Sequence, residues 1–162
     1  MKMSSVKIPK LSDIYYFCSK LLPGENTGEE DIQLIQSNML DVKRLGSFLQ
    51  NPWPIDKRVN EPEILPFKAA YLTYHLFEGS YFSQRKFLFS LWCGISMMEF
   101  NGAKMNKKVA KKNLIKMMKL FSRKKGPLFC KGLLREFFLD SFPKKDKFKS
   151  FGSVGQLFPR LI

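Results

Sequence analysis

Apolar residues along most of this chain recur every third or fourth position, the spacing of one face of an α-helix. LSDIYYFCSKLL at residues 11–22 predicts a first helix, capped by Ser12 or Asp13 and stopped by Pro23 and Gly24. Glu29, Glu30 and Asp31 open a second helix, where carboxylates favour the positive end of the helix dipole. Ile32, Ile35, Met39, Val42, Leu45 and Phe48/Leu49 carry its apolar face. Residues 51–66 contain four prolines and predict a loop with extended pieces. Within it Trp53 is expected to plug the core, with a stacking platform for a base as the alternative. FKAAYLTYHLFE at residues 67–78 is a compact apolar helix ended near Gly79. A further helix, N-capped by Ser83, runs to Phe100 and is apolar on nearly every side. It is therefore expected at the centre of the domain. Asn101 and Gly102 break it.

The next stretch differs in kind. Residues 104–125 carry ten basic side chains and no acid. Wound at about 3.6 residues per turn, Lys104, Lys107, Lys108, Lys111, Lys112, Lys119 and Arg123 share one half of the cylinder. Val109, Ala110, Leu114, Met117, Met118, Leu120 and Phe121 fall mostly on the other, and Ile115 lands on the basic side. This predicts a basic amphipathic helix ending at Lys125, with Gly126 and Pro127 as the stop. Lys107/Lys111, Lys108/Lys112 and Lys112/Lys116 are like-charge pairs one turn apart. Each opposes the helix by roughly 0.2–0.5 kcal/mol. A polyanion along that face would remove the penalty. A solvated face that keeps the protein soluble is the plainer alternative.

Residues 128–142 give a last helix, with Phe129, Leu133, Phe137 and Phe138 facing the core and Arg135, Glu136 and Asp140 facing solvent. Pro143 ends it. The expected fold is all-α, one compact domain of five or six helices over residues 1–142, followed by a basic tail at residues 143–162 that docks through its apolar residues or stays mobile.

Charge sharpens the reading. Residues 1–101 carry 11 Lys/Arg and 11 Asp/Glu, whereas residues 102–162 carry 17 and 3, so the whole net charge of +14 lies in the second part. Such segregation points to a nucleic-acid or anionic-membrane partner. No apolar run reaches the ~18 residues of a membrane span, and the first residues lack the apolar core of a secretory signal. Three widely spaced cysteines, Cys18, Cys93 and Cys130, suit a reducing compartment, so a cytoplasmic location is expected.

Catalytic chemistry has little to stand on. His75 is the lone histidine and sits in an apolar helical stretch, which reads as a core or boundary position. The cysteines lack metal-ligand spacing, and no phosphate-binding glycine motif is present. No enzyme, metal site or cofactor is expected.

The bottom-up expectation is therefore a subunit that meets a nucleic-acid backbone. Lysine outnumbers arginine in the basic part, which disfavours bidentate base reading and favours sequence-neutral phosphate contact with RNA or DNA. The candidate contacts are Arg85, Lys86, Lys104, Lys107, Lys108, Lys111, Lys112, Lys116, Lys119, Arg123, Lys124 and Lys125. The alternatives are a viral matrix-type or peripheral membrane-binding protein, and a structural subunit docking an acidic protein.

Three segments carry a family likeness: AAYLTYHLFEG at residues 69–79, SQRKFLFSLW at residues 83–92 and KNLIKMMKLFSRKKGPLFCKGLLREFF at residues 112–138. In helix order and residue class this part of the chain resembles the small subunit of type I CRISPR Cascade surveillance complexes. The resemblance implies an all-helical, non-catalytic subunit of an antiviral ribonucleoprotein, seated among other protein subunits and lining a basic path for DNA. It would carry over Arg85, Lys86 and the basic residues of 112–125 as nucleic-acid contacts.

Overall fold

The computed structural model describes residues 6–21, 36–51, 53, 63–121 and 127–143. Within them lie six helices: α1 (Leu11–Ser19), α2 (Val42–Gln50), α3 (Ile64–Glu78), α4 (Lys86–Phe100), α5 (Lys107–Phe121) and α6 (Pro127–Ser141). Residues 36–38 are also helical, and the sole strand-like feature among the described residues is an isolated antiparallel bridge between Met39 and Phe82. The all-α expectation holds. The stop at Pro23, the acidic start at Glu29 and the tail after Pro143 lie outside the described residues.

The apolar helix α4 is the axis of the domain. Every residue from Ser90 to Met98 is buried. Its indole anchor, Trp92, donates Nε1–H to the Phe17 carbonyl of α1, and α3 packs along it. At Gly94 three helices converge: a Cβ there would overlap Thr73 Oγ1 on α3 and come within 2.6 Å of the Phe138 ring on α6. Only a residue without a side chain allows this approach. Lys131 lies over Tyr74 and Arg135 over Phe67, so α6 advances as α3 recedes and the two are antiparallel. Asn106 N–H donates to the Ser141 carbonyl at 2.8 Å, and Asn113 Nδ2 donates to Ser141 Oγ at 3.3 Å. These tie the start of α5 to the end of α6, again antiparallel.

Several boundaries differ from the sequence reading, each for a local reason. Neither Ser12 nor Asp13 is the N-cap of α1; Lys10 is, and Asp13 reaches back to accept its N–H at 2.8 Å. The helix expected to run unbroken through Met39 and Val42 is interrupted at Asp41, which sits at φ 52° and caps α2 by accepting the Arg44 N–H at 3.3 Å. The break is fixed from outside: Leu40 N–H donates to the Tyr81 carbonyl at 2.7 Å and Ser83 N–H to the Asn38 carbonyl at 2.8 Å. Ser83 is thereby spent on Asn38, its hydroxyl included, and the N-cap of α4 is Arg85 at φ 50°. α3 starts at Ile64 rather than residue 67 and includes Pro66. A proline in the first turn removes only an N–H that has no helical partner. Likewise Pro127 opens α6 as well as following the basic helix.

The turn at Asn101 and Gly102 stands as expected. Gly102 adopts φ 88°, and Asn101 pairs with Lys7 in both directions, accepting its N–H at 2.6 Å and donating to its carbonyl at 3.0 Å. Trp53 is buried from its loop, stacked on Phe48 and donating to the Phe48 carbonyl at 3.2 Å. It is core, and a base platform there is ruled out by its burial.

Candidate nucleic-acid interface

The basic helix begins later than its lysines. Asn106 caps α5 by accepting the Val109 N–H at 3.2 Å, so Lys104 stands exposed in the preceding loop rather than on the helix. The end expected at Lys125 falls beyond the described part of α5; Arg123, Lys124 and Lys125 lie outside the described residues.

α5 buries a narrow stripe. Ala110, Leu114 and Met117 are buried and Asn113 is half-buried, all toward α6. At ~100° per residue these span roughly a quarter of the circumference, leaving about 260° outside the stripe. That arc carries Lys111, Lys108, Lys119, Lys112 and Lys116, all exposed, with Lys107 half-buried at its margin. No acid lies on α5 itself. From Lys108 to Lys119 the face is about 16 Å long at ~1.5 Å per residue. This matches the rise of about five nucleotides at ~3.4 Å per strand residue.

The apolar assignment of α5 is partly corrected. Val109 and Met118, assigned to the apolar half, are exposed at 36% and 50%. Ile115 is exposed at 45% among the lysines, as its position required. The cause is the breadth of the partner: among the described helices α6 is the one that packs extensively on α5, and one helix shields only a narrow stripe.

Not every predicted contact belongs equally to this face. Lys116 borders a shallow cleft between α5 and α6 shared with Glu136 and Asp140. Two carboxylates beside it reduce its pull on a phosphate. Arg85 and Lys86 stand apart from α5 in sequence, at the start of α4. The antiparallel packing puts that helix start at the end of the bundle where α5 finishes. Arg85 is exposed, whereas Lys86 is half-buried, donating to Ser80 Oγ at 3.3 Å and lying over the Phe77 ring. Its role is therefore mainly to fasten the turn before α4.

Other chemistry-bearing residues serve the core. His75 is half-buried, stacked on Phe48 with ring centroids 3.6 Å apart, and 3.2 Å from the Tyr81 hydroxyl. Burial first, and then the Arg44 charge, lower its pKa from the ordinary 6.5. Cys18 and Cys93 are buried thiols 3.9 Å apart, and that contact together with burial raises the Cys93 pKa. Among the described residues no cluster of His, Cys, Asp and Glu could hold a metal ion. None of the described helices is long and apolar enough to cross a membrane. Arg135, read as solvent-facing, is half-buried between the Glu63 carboxylate at 3.5 Å and the Phe67 ring.

No family model, no curated protein and no solved structure matches this chain.

Proposed function

We propose that this protein is a non-enzymatic, basic helical subunit that binds a nucleic-acid backbone without sequence preference, inside a larger ribonucleoprotein in the cytoplasm. One observation carries the reading: α5 turns five exposed lysines outward with no acid on the helix. The protein's net positive charge is confined to the same part of the chain. A helix that holds like charges one turn apart gives up stability that a phosphate backbone along that face returns. Lysine side chains on a convex helix suit phosphates and carry little base information. The likeness of residues 69–79, 83–92 and 112–138 to the Cascade small subunit agrees with such a role and would make the larger assembly a CRISPR effector.

The test is a fourfold charge reversal, Lys108→Glu, Lys111→Glu, Lys112→Glu and Lys119→Glu. All four positions are exposed, so the far-ultraviolet circular dichroism should remain native. Binding of short labelled oligonucleotides should vanish. Retained binding by a natively folded variant would refute the assignment of the site.

A further inference from the structure

Ile115 and Met118 are the unexplained residues of the basic face. They lie three positions apart, on adjacent turns of the exposed surface of α5, and each shows nearly half of its area to solvent. Lys111, Lys112 and Lys119 lie three or four positions from Ile115 and surround it. A phosphate backbone engages the lysines and gains nothing from the two apolar side chains. Solubility gains nothing from them either. A lipid surface needs a continuous apolar stripe. Here the apolar stripe proper, Ala110, Leu114 and Met117, is committed to the core. Val109, the other apolar side chain of α5 exposed among the described ones, is separated from Ile115 around the helix by Lys108, Lys112, Lys116 and Lys119.

A small apolar spot framed by ammonium groups is the complement of one kind of partner. That partner is an amphipathic helix with leucine-like residues along one edge and carboxylates beside them. We infer that α5 is also a docking surface for an acidic amphipathic helix of a partner protein, which seats its apolar edge on Ile115 and Met118 and its carboxylates on Lys108, Lys111, Lys112 and Lys119. The charge supplies attraction and exclusion of basic partners. The apolar pair supplies what nucleic acid does not use. Because the lysines are shared, such a helix displaces nucleic acid from the same face and would regulate it. The docking itself does not depend on nucleic-acid binding.

The probe is a synthetic acidic helical peptide with leucines at i, i+3 and i+7 and glutamates elsewhere. Its control is a scrambled peptide of the same composition and charge. A labelled single-stranded oligonucleotide and vesicles containing phosphatidylserine are measured beside them. The intact protein should bind the amphipathic peptide about tenfold tighter than the scrambled one, from burial of two half-exposed side chains. The double variant Ile115→Ser, Met118→Ser should remove that difference and leave the scrambled peptide and the oligonucleotide unchanged. Equal binding of the two peptides would overturn the inference. So would a double variant that weakens the oligonucleotide or the vesicles instead. Failure of the oligonucleotide to bind the intact protein would count against the function proposed above and leave the peptide comparison standing.

Discussion

Lys112→Glu separates a structural lysine from a functional one. Lys112 is exposed and lies one turn from Lys108 on one side and Lys116 on the other. Each like-charge pair opposes the helix by roughly 0.2–0.5 kcal/mol, and each opposite-charge pair favours it by a similar amount. Reversing one charge converts both pairs, which amounts to about 1–2 kcal/mol before screening. A carboxylate at position 112 lies N-terminal to Lys116, the better oriented arrangement of the two, so that pair contributes the larger share. At physiological ionic strength the exposed groups are screened, and a net gain of about 1 kcal/mol remains. For a chain of this size that raises the Tm by about 2–4 °C. The same change removes one phosphate contact and adds a repulsive charge. Oligonucleotide affinity should therefore fall, and the slope of log K against log salt should become shallower by about 1. The assay pairs thermal unfolding at low and high salt with anisotropy titration of the same preparation. Opposite signs, a more stable protein that binds less, mark a residue kept for its ligand. A lower Tm, or an unchanged affinity, would refute the reasoning.

Three further outcomes test the fold. Trp92→Ala removes an indole that is 2% exposed and bonded to the Phe17 carbonyl; a loss of about 3–5 kcal/mol in urea unfolding is expected, and an unchanged midpoint would contradict the central place of α4. Gly94→Ala drives a methyl into Thr73 Oγ1 and should destabilise by about 1–3 kcal/mol despite alanine's better helix propensity, with Thr73→Ala recovering part of the loss. A neutral or stabilising Gly94→Ala would show that α3, α4 and α6 do not meet there. His75 has a pKa lowered from 6.5, so the unfolded chain takes up a proton that the folded protein resists. Stability should be fully present above pH 6.5 and fall as the pH drops through and below it, and His75→Asn should flatten that fall; a pH profile identical in the variant would remove His75 from the account.

The helices were legible in the sequence where the determinant is local. The nearly unbroken apolar run of residues 87–98 states its own burial, and Asn101 with Gly102 states its own turn. The break at Asp41 was not legible. It depends on backbone hydrogen bonds from Leu40 to Tyr81 and from Ser83 to Asn38, whose partners lie far apart in the chain. That same pairing withdraws Ser83 from capping α4 and leaves Arg85 in its place. On α5 the lysine face was readable because charge stays out of cores. Which apolar residues are buried was not, since that depends on how many helices cover α5. Among the described helices α6 alone packs extensively on α5, and Val109 and Met118 face outward. The local pattern puts Lys116 and Lys86 on their helices, but their neighbours, Glu136 and Asp140 for one and Ser80 and Phe77 for the other, come from elsewhere in the chain.

The central claim is backbone binding by the lysines of α5, and the most direct measurement is fluorescence-anisotropy titration with a short single strand and a short duplex from about 50 to 300 mM salt. Five exposed lysines predict a slope of log K against log salt steeper than about −3, from about −0.7 to −0.9 per phosphate. The affinity should be indifferent to sequence, and the better ligand names the strand class. Absence of binding to either ligand at the lowest salt would contradict the claim.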